Sequence, residues 1–225
     1  MASPTSPLRR RPRQVRAQER IERILDAAEN AFAEIGYDGA TTNLIASQAD
    51  TSIGSLYEFF PNKEAVARAL ADRYVERIGS LYSQLLVDEP NLDARQLVER
   101  IVSALDDFYR EHPGAVPLLN GRLTSPELAR AGDVLQAALE EGIEGLFSAR
   151  RPDIPPARRQ LMCVVVAEIA RALLVRADRV PLSQRRGVVK ELEHAVVGYL
   201  QHAAVDLAAA AAEPSKTPPT RRAGG

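Results

Sequence analysis

The chain has 225 residues, 45% of them hydrophobic and 26% charged, which supports one large or two small folded domains and excludes a wholly disordered protein. One cysteine, Cys163, excludes an intrachain disulfide and a cysteine-based zinc site. The net charge of −1 argues against a uniformly basic nucleic-acid binder, but it conceals a gradient along the chain.

No run reaches the ~18 apolar residues needed to span a bilayer, and the first residues lack an apolar signal core. A cytoplasmic protein without membrane association is therefore expected. Residues 1–18 carry Arg9, Arg10, Arg11, Arg13 and Arg16 and no acid. Pro4, Pro7 and Pro12 disfavour a helix there, so this stretch reads as a flexible basic arm suited to nucleic acid.

Every strong periodicity that follows is helical. Ile21, Ile24, Leu25, Ala28, Phe32 and Ile35 share one face, and Gly36 supplies a stop, so a first helix is expected over residues 18–35. A short second helix carries Leu44, Ile45, Ala46 and Ala49, with Thr41 or Thr42 as cap. Asp50 sits where a tight turn needs a residue tolerant of positive φ. Ser52 can cap a third helix over residues 53–60, and Pro61 ends it. Asn62 can cap a fourth over residues 63–86.

Further helices are expected over residues 93–111, 126–150, 157–179 and, capped by Ser183, 184–212. Ser125 and Pro126 start the second of these, while residues 116–123 look short and irregular. Cys163 lies in the apolar run 161–166 and reads as a small buried hydrophobe. Residues 213–225 read as a disordered tail. The expected fold is all-α, with about nine helices.

The informative stretch is TTNLIASQADTSIGSLYEFFPNKEA, residues 41–65. Two short helices joined by a tight turn, with an amphipathic helix before them, match a helix-turn-helix, whose second helix enters the DNA major groove. Thr51, Ser52, Gly54 and Ser55 at the start of that second helix are small and mostly hydroxylated. They allow close approach to the groove floor and bonds to phosphates or base edges. Tyr57 offers a phenol to a phosphate, and Lys63 stands at a helix start that favours one. Leu56 and Phe60 fall on the opposite face and belong to the core.

Residues 20–65 resemble the DNA-binding domain of the tetracycline-repressor-like (TetR) family of bacterial regulators. The resemblance rests on the 24–36 helix with Phe32, Gly36-Tyr37, Thr41-Thr42, Ile45-Ala46, Gly54, Leu56-Tyr57, Phe59-Phe60 and Lys63-Glu64. It implies phosphate contacts from Thr42, Tyr57 and Lys63, a contact or packing role for Phe59, and base reading around Thr51, Ile53, Gly54 and Ser55. Arg11 and Arg13 of the basic arm join this DNA-binding set. Asp50 departs from the glycine common in the turn, and Ile53 offers only apolar contact.

The implied organisation is an arm (1–18), a helix-turn-helix domain (19–65), a helical effector-binding and dimerisation domain (66–212) and a tail (213–225). The implied function is a homodimeric repressor released from operator DNA by a small, largely apolar ligand. An activator or ligand-independent regulator of the same fold is the alternative. The last two helices would form the dimer, with stripes at Leu161, Val165, Ile169 and Leu173 and at Leu192, Val196, Tyr199, Leu200 and Ala203. A pocket among the middle helices would draw on Tyr82, Leu85, Leu105, Phe108, Tyr109, Leu139, Phe147 and Met162. Glu168 interrupts an apolar run; it either pairs with Arg171 or offers the pocket a polar handle.

Catalytic motifs are absent: there is no G-x-S-x-G, H-E-x-x-H or glycine-rich phosphate loop. His194 and His202 lie about 12 Å apart along one helix, too far to share a metal. No cofactor is expected, and a helical enzyme is the weaker reading. Residues 19–86 hold six basic residues against eleven acids, so the DNA-binding region is itself acidic and the arm would supply positive charge.

Overall fold

The computed structural model describes residues 11–88, 92–121 and 126–212, and these form nine α-helices. They are α1 (Arg11–Gly39), α2 (Thr42–Gln48), α3 (Ile53–Phe59), α4 (Lys63–Asp88), α5 (Ala94–Glu111), α6 (Ala115–Gly121), α7 (Pro126–Arg150), α8 (Pro156–Asp178) and α9 (Leu182–Ala212). Helices α1–α3 make a head. Helix α4 leaves the head and packs on α7, while α8 and α9 pair and α5 lies against α9.

Local chemistry sets the boundaries. At Gly36 the backbone turns to φ 73°, a left-handed value that glycine adopts without a Cβ penalty, and this breaks the helical path of α1. Thr41 caps α2 by accepting the Leu44 N–H at 3.2 Å, and Ser52 caps α3 by accepting the Ser55 N–H at 3.0 Å. Asp50 takes φ 49° in the turn between them, as its position in the sequence requires. Asn62 Oδ1 accepts the Ala65 N–H at 2.8 Å and starts α4. Asp93 and Gln96 form a reciprocal capping box at the start of α5.

Four expectations are corrected. Helix α1 begins at Arg11 rather than residue 18, with Pro12 in its first turn, where a missing N–H breaks no helical bond. Residues 11–18 of the expected arm are thus helical, and residues 1–10 lie outside the described residues. Ile35, expected on the buried face of α1, is 50% exposed, and Ala31 is buried instead. Residues 115–121 form a regular short helix where irregular chain was expected, with Pro117 inside its first turn. Helix α9 begins at Leu182, and the Pro181 carbonyl accepts from Gln184 and Arg185, so Ser183 lies inside the first turn and not at the cap. Ser125 and residues 213–225 are outside the described residues.

One core runs through head and body. Ile24, Phe32, Ile45, Leu56 and Leu70 are fully buried in the head, and Leu105, Leu118, Leu119 and Leu135 in the body. The two halves meet where α4 and the α5–α6 corner approach α1. There Gly114 leaves no room: an added Cβ would stand 2.9 Å from Tyr74 Oη, 3.0 Å from the Glu29 carbonyl oxygen and 3.1 Å from Glu29 Cα. Gly114→Ala should therefore lower stability by about 1–3 kcal/mol, the usual cost of overpacking a rigid site. Urea unfolding followed by circular dichroism measures this, and an unchanged midpoint would mean that the corner can retreat from α1 at no cost.

Candidate nucleic-acid interface and effector cavity

The expected DNA-facing residues gather on one side of the head. Helix α3 presents Ser52 and Gly54 exposed, Tyr57 half-exposed at 50%, and Thr51 and Ser55 partly covered. Leu56 and Phe60 are buried as expected. Ile53 and Phe59 are partly buried and packed against the core, which leaves less of each for a ligand. The Ser52 hydroxyl accepts the Ser55 N–H and donates to Ser55 Oγ at 3.0 Å, so capping already occupies it. Thr42 Oγ1 and Tyr57 Oη are 3.1 Å apart, which brings the first residue of α2 and the middle of α3 to one point.

Lys63 has a second task. Its ammonium donates to the Tyr37 carbonyl at 2.6 Å and the Ala40 carbonyl at 2.9 Å, and stands 4.1 Å from the Tyr37 ring centre. Three donors sit on an ammonium, so one proton remains for an anion at the start of α4. Lys63 therefore clamps the turn after Gly36 as well as offering charge. Arg11 and Arg13 lie in the first turn of α1.

The head is joined to the body by a charged cluster. Glu29 of α1 is only 8% exposed. Its carboxylate accepts from Arg73 Nη2 of α4 at 2.8 Å and lies 3.1 Å from His112 Nδ1 at the end of α5. Arg73 also donates to Asp26 at 2.6 Å and to Glu22 at 3.4 Å. Arg77 reaches His112 Nε2 at 2.7 Å. This pairing suits the tautomer with its proton on Nδ1, donating to Glu29 and accepting from Arg77. The fold makes His112 a part-buried joint, packed on Tyr74 and Phe108.

Below the head lies a cavity of about 410 Å³, within the ~300–1,000 Å³ range of small-molecule sites. It lies among α5, α7, α8 and α9, with Tyr82 of α4 on its wall. Of the expected pocket residues, Tyr82, Leu105, Phe147 and Met162 line it, as does Ile143. Leu85, Phe108, Tyr109 and Leu139 are buried in the core and are not on its wall. Glu168 is off the wall too: Arg171 donates to it through Nε at 3.0 Å and Nη2 at 2.6 Å, as the same-helix pairing predicts. Sequence reading missed Val98, Ile101 and Val102 of α5, whose two adjacent apolar stripes were the available signal.

Tyr82 is closely held. A Cβ on Gly142 would overlap its ring, and its hydroxyl has no hydrogen-bond partner among the described residues. Burial pushes the Tyr82 and Tyr109 phenols well above their ordinary range, so both stay neutral. Glu29 and Gln136 are the buried polar side chains of the described core. No group of three or more His, Cys, Asp or Glu residues among the described residues could hold a metal ion, and no described helix is long and apolar enough to cross a membrane.

Comparison with known proteins places both halves of the chain. Residues 24–70 match the family profile described as bacterial regulatory proteins, tetR family. Residues 93–200 match the profile of the tetracyclin repressor-like C-terminal domain. The transcriptional activator FasR of Mycolicibacterium smegmatis is 28% identical over 86% of this chain and 85% of its own length. The transcriptional repressor KstR of Rhodococcus jostii is 25% identical over 64% and 65%. An uncharacterised regulator of Bacillus subtilis, YhgD, is 29% identical over 42% of this chain, which spans only 48% of that relative. A crystal structure of a TetR-family regulator from Streptomyces coelicolor superposes with a TM-score of 0.60 at 28% identity, covering 82% of this chain and 99% of that one.

Cys163 lies at the edge of this region and is 2% exposed, its thiol donating to Glu144 at 3.4 Å. Burial, with the Glu144 carboxylate beside it, pushes the thiol from 9.0 up to about 12. The thiolate that alkylating agents need is thereby depleted on the order of a thousandfold at pH 8. Iodoacetamide labelling followed by mass spectrometry should show the native thiol reacting at least that much more slowly than the urea-unfolded one. Comparable rates would mean that α8 opens readily.

Proposed function

The chain belongs to the tetR family of bacterial regulatory proteins, a family of DNA-binding transcriptional regulators whose members bind operator DNA and dimerise, and on that footing we propose that it is a homodimeric repressor released from its operator by a small ligand held in the α5–α9 cavity. The observation that carries the DNA reading is the α2–α3 unit. A left-handed Asp50 sets its turn, and Thr42 and Tyr57 converge on one side of it. Tyr57 and Thr42 contact phosphate, Lys63 adds its remaining proton at the start of α4, and Thr51, Ser52, Gly54 and Ser55 face the groove.

The acidic surface of the head fits this assignment because much of it faces elsewhere. Glu22, Asp26 and Glu29 are drawn to Arg73, and Asp72 pairs with Arg68 at 3.2 Å. Arg9, Arg10, Arg11 and Arg13 supply the long-range attraction to DNA that the folded head lacks.

The dimer uses the outer face of α8. Leu161, Val164 and Val165 are 61%, 39% and 37% exposed in the single chain, an apolar strip that water does not favour. The other expected stripe residues serve the chain's own packing: Leu192, Val196 and Ala203 are buried, and Ile169, Leu173, Tyr199 and Leu200 are half-buried against the core. The activator reading has one observation in its favour, the FasR match over most of the chain. A reporter driven by the regulated promoter separates the two by the sign of its change when the gene is deleted.

Two substitutions test the proposal. An added Cβ on Gly54 meets nothing closer than Ser52 Oγ at 3.9 Å, so Gly54→Ala folds freely and gains up to about 1 kcal/mol of helix propensity. Seated in the groove, that methyl should cut affinity for DNA flanking the gene at least tenfold by fluorescence anisotropy; full affinity would show that α3 does not face DNA. Val164→Glu with Val165→Glu should convert a dimer to a monomer in multi-angle light scattering and weaken operator binding at least a hundredfold. A dimer that survives both charges would place the interface on another face.

A further inference from the structure

The cavity is not uniform along its length. On α5 its wall runs from Ala94 to Leu105, about 16 Å of helix axis. One end gathers polar groups from three helices and a turn: Arg95 at the start of α5, Arg150 at the end of α7, Arg151 just beyond it, and Gln201 on α9. The other end is closed by apolar groups and one aromatic: Leu105, Ile143, Ala170 and the Tyr82 ring. Among the described residues no aspartate or glutamate lines the cavity.

The three arginines are placed differently. Arg151 donates to Asp153 through Nε at 2.8 Å and Nη2 at 2.7 Å, a two-pronged pairing that offsets its charge locally. Arg150 donates to the Leu92 carbonyl at 2.9 Å and so ties the approach to α5 across the mouth. Arg95 is exposed and makes no ion pair among the described residues. A guanidinium beside an apolar cavity favours a carboxylate or phosphate that arrives attached to something apolar. A polar group elsewhere on the ligand would enter an apolar wall without a partner, at a cost no contact there offsets.

We infer that the ligand is a single-chain anionic amphiphile: an unbranched hydrocarbon tail that fills the cavity from Leu92 to Leu105, with an anionic head held at the mouth by Arg95 and Arg150. An extended chain advances about 1.2 Å per bond, since three backbone bonds span ~3.6 Å, so 16 Å matches a tail of roughly 12–14 carbons. This inference rests on the cavity being the effector site of the proposed repressor. A free long-chain carboxylate and its acyl thioester with a phosphorylated carrier such as coenzyme A share this chemistry.

The test uses the full-length protein, stripped of lipid, and isothermal titration with four probes: tetradecanoate, its coenzyme A thioester, octanoate and the uncharged tetradecanol. At least one of the first two should bind with a Kd in the micromolar range or below. Octanoate should bind at least a hundredfold more weakly, at about fourfold per missing methylene. Tetradecanol should lose at least tenfold. The tighter of the first two identifies the source, and either order supports the inference. Arg95→Gln, at an exposed residue with no ion-pair partner among the described residues, should weaken the anions at least fivefold and leave tetradecanol unchanged. Tetradecanol binding as tightly as the anions, or none of the long-chain probes binding, would overturn the inference. Operator release is read separately by anisotropy: an anion that binds without releasing DNA refutes the repressor reading and leaves the ligand class standing.

Discussion

The fold turns on one buried carboxylate. Glu29 sits nearly out of water, with Arg73 on one side and His112 on the other. Three elements that share no hydrophobic periodicity, α1, α4 and the α5–α6 corner, are pinned at that point. Removing one partner from a buried pair commonly costs ~3–5 kcal/mol, because the remaining charge loses both water and counter-charge. The penalty makes the joint all-or-none: the head either keeps its angle to the body or breaks a charged contact. Gly114 reinforces this by bringing the corner against the backbone of α1 with no side chain between them.

That joint also gives the cavity a route to the head. Helix α5 contributes much of the cavity wall and ends at His112. Tyr82 on the same wall belongs to α4, whose Arg73 grips Glu29 and whose first residue, Lys63, holds the turn beside α2. Two rigid helices thus run from the cavity to the two sides of one carboxylate. A molecule that spreads α5 from α7 has few ways to be accommodated that leave Glu29 undisturbed. Coupling through a contact with two discrete arrangements is the physical form that communication between distant sites requires.

What the sequence made legible was local. Thr41, Ser52 and Asn62 act as caps because a short polar side chain before an apolar run has one main use. Asp50 was recognisable as the left-handed residue from its place between two short helices. Leu56 and Phe60 were separable from Tyr57 by helical phase alone. The misses are of one kind. The Glu29 cluster joins residues 44 and 83 positions apart, and no periodicity reports such a pairing. The grip of Lys63 on the Tyr37 and Ala40 carbonyls was not legible, because those partners come within reach only once the chain has turned at Gly36. The cavity wall could not be separated from plain core, since Phe108 and Leu105 have the same chemistry and differ only in what lies opposite. The three arginines at the mouth come from α5, α7 and the turn after it, and only the fold brings them together.

The uncovered strip on α8 has a consequence for how such a protein would keep time in a growing cell. With Leu161, Val164 and Val165 bare in the single chain, pairing through them would add stability to each copy, by an amount that depends on how many others are present. Newly made chains would hold DNA weakly until they meet, and dilution by cell division would thin the active species faster than the chain itself. Occupancy of a promoter would then follow roughly the square of the chain concentration when pairs are scarce. A gene under such control answers sharply to changes in expression of its own regulator, even with no small molecule in the cavity.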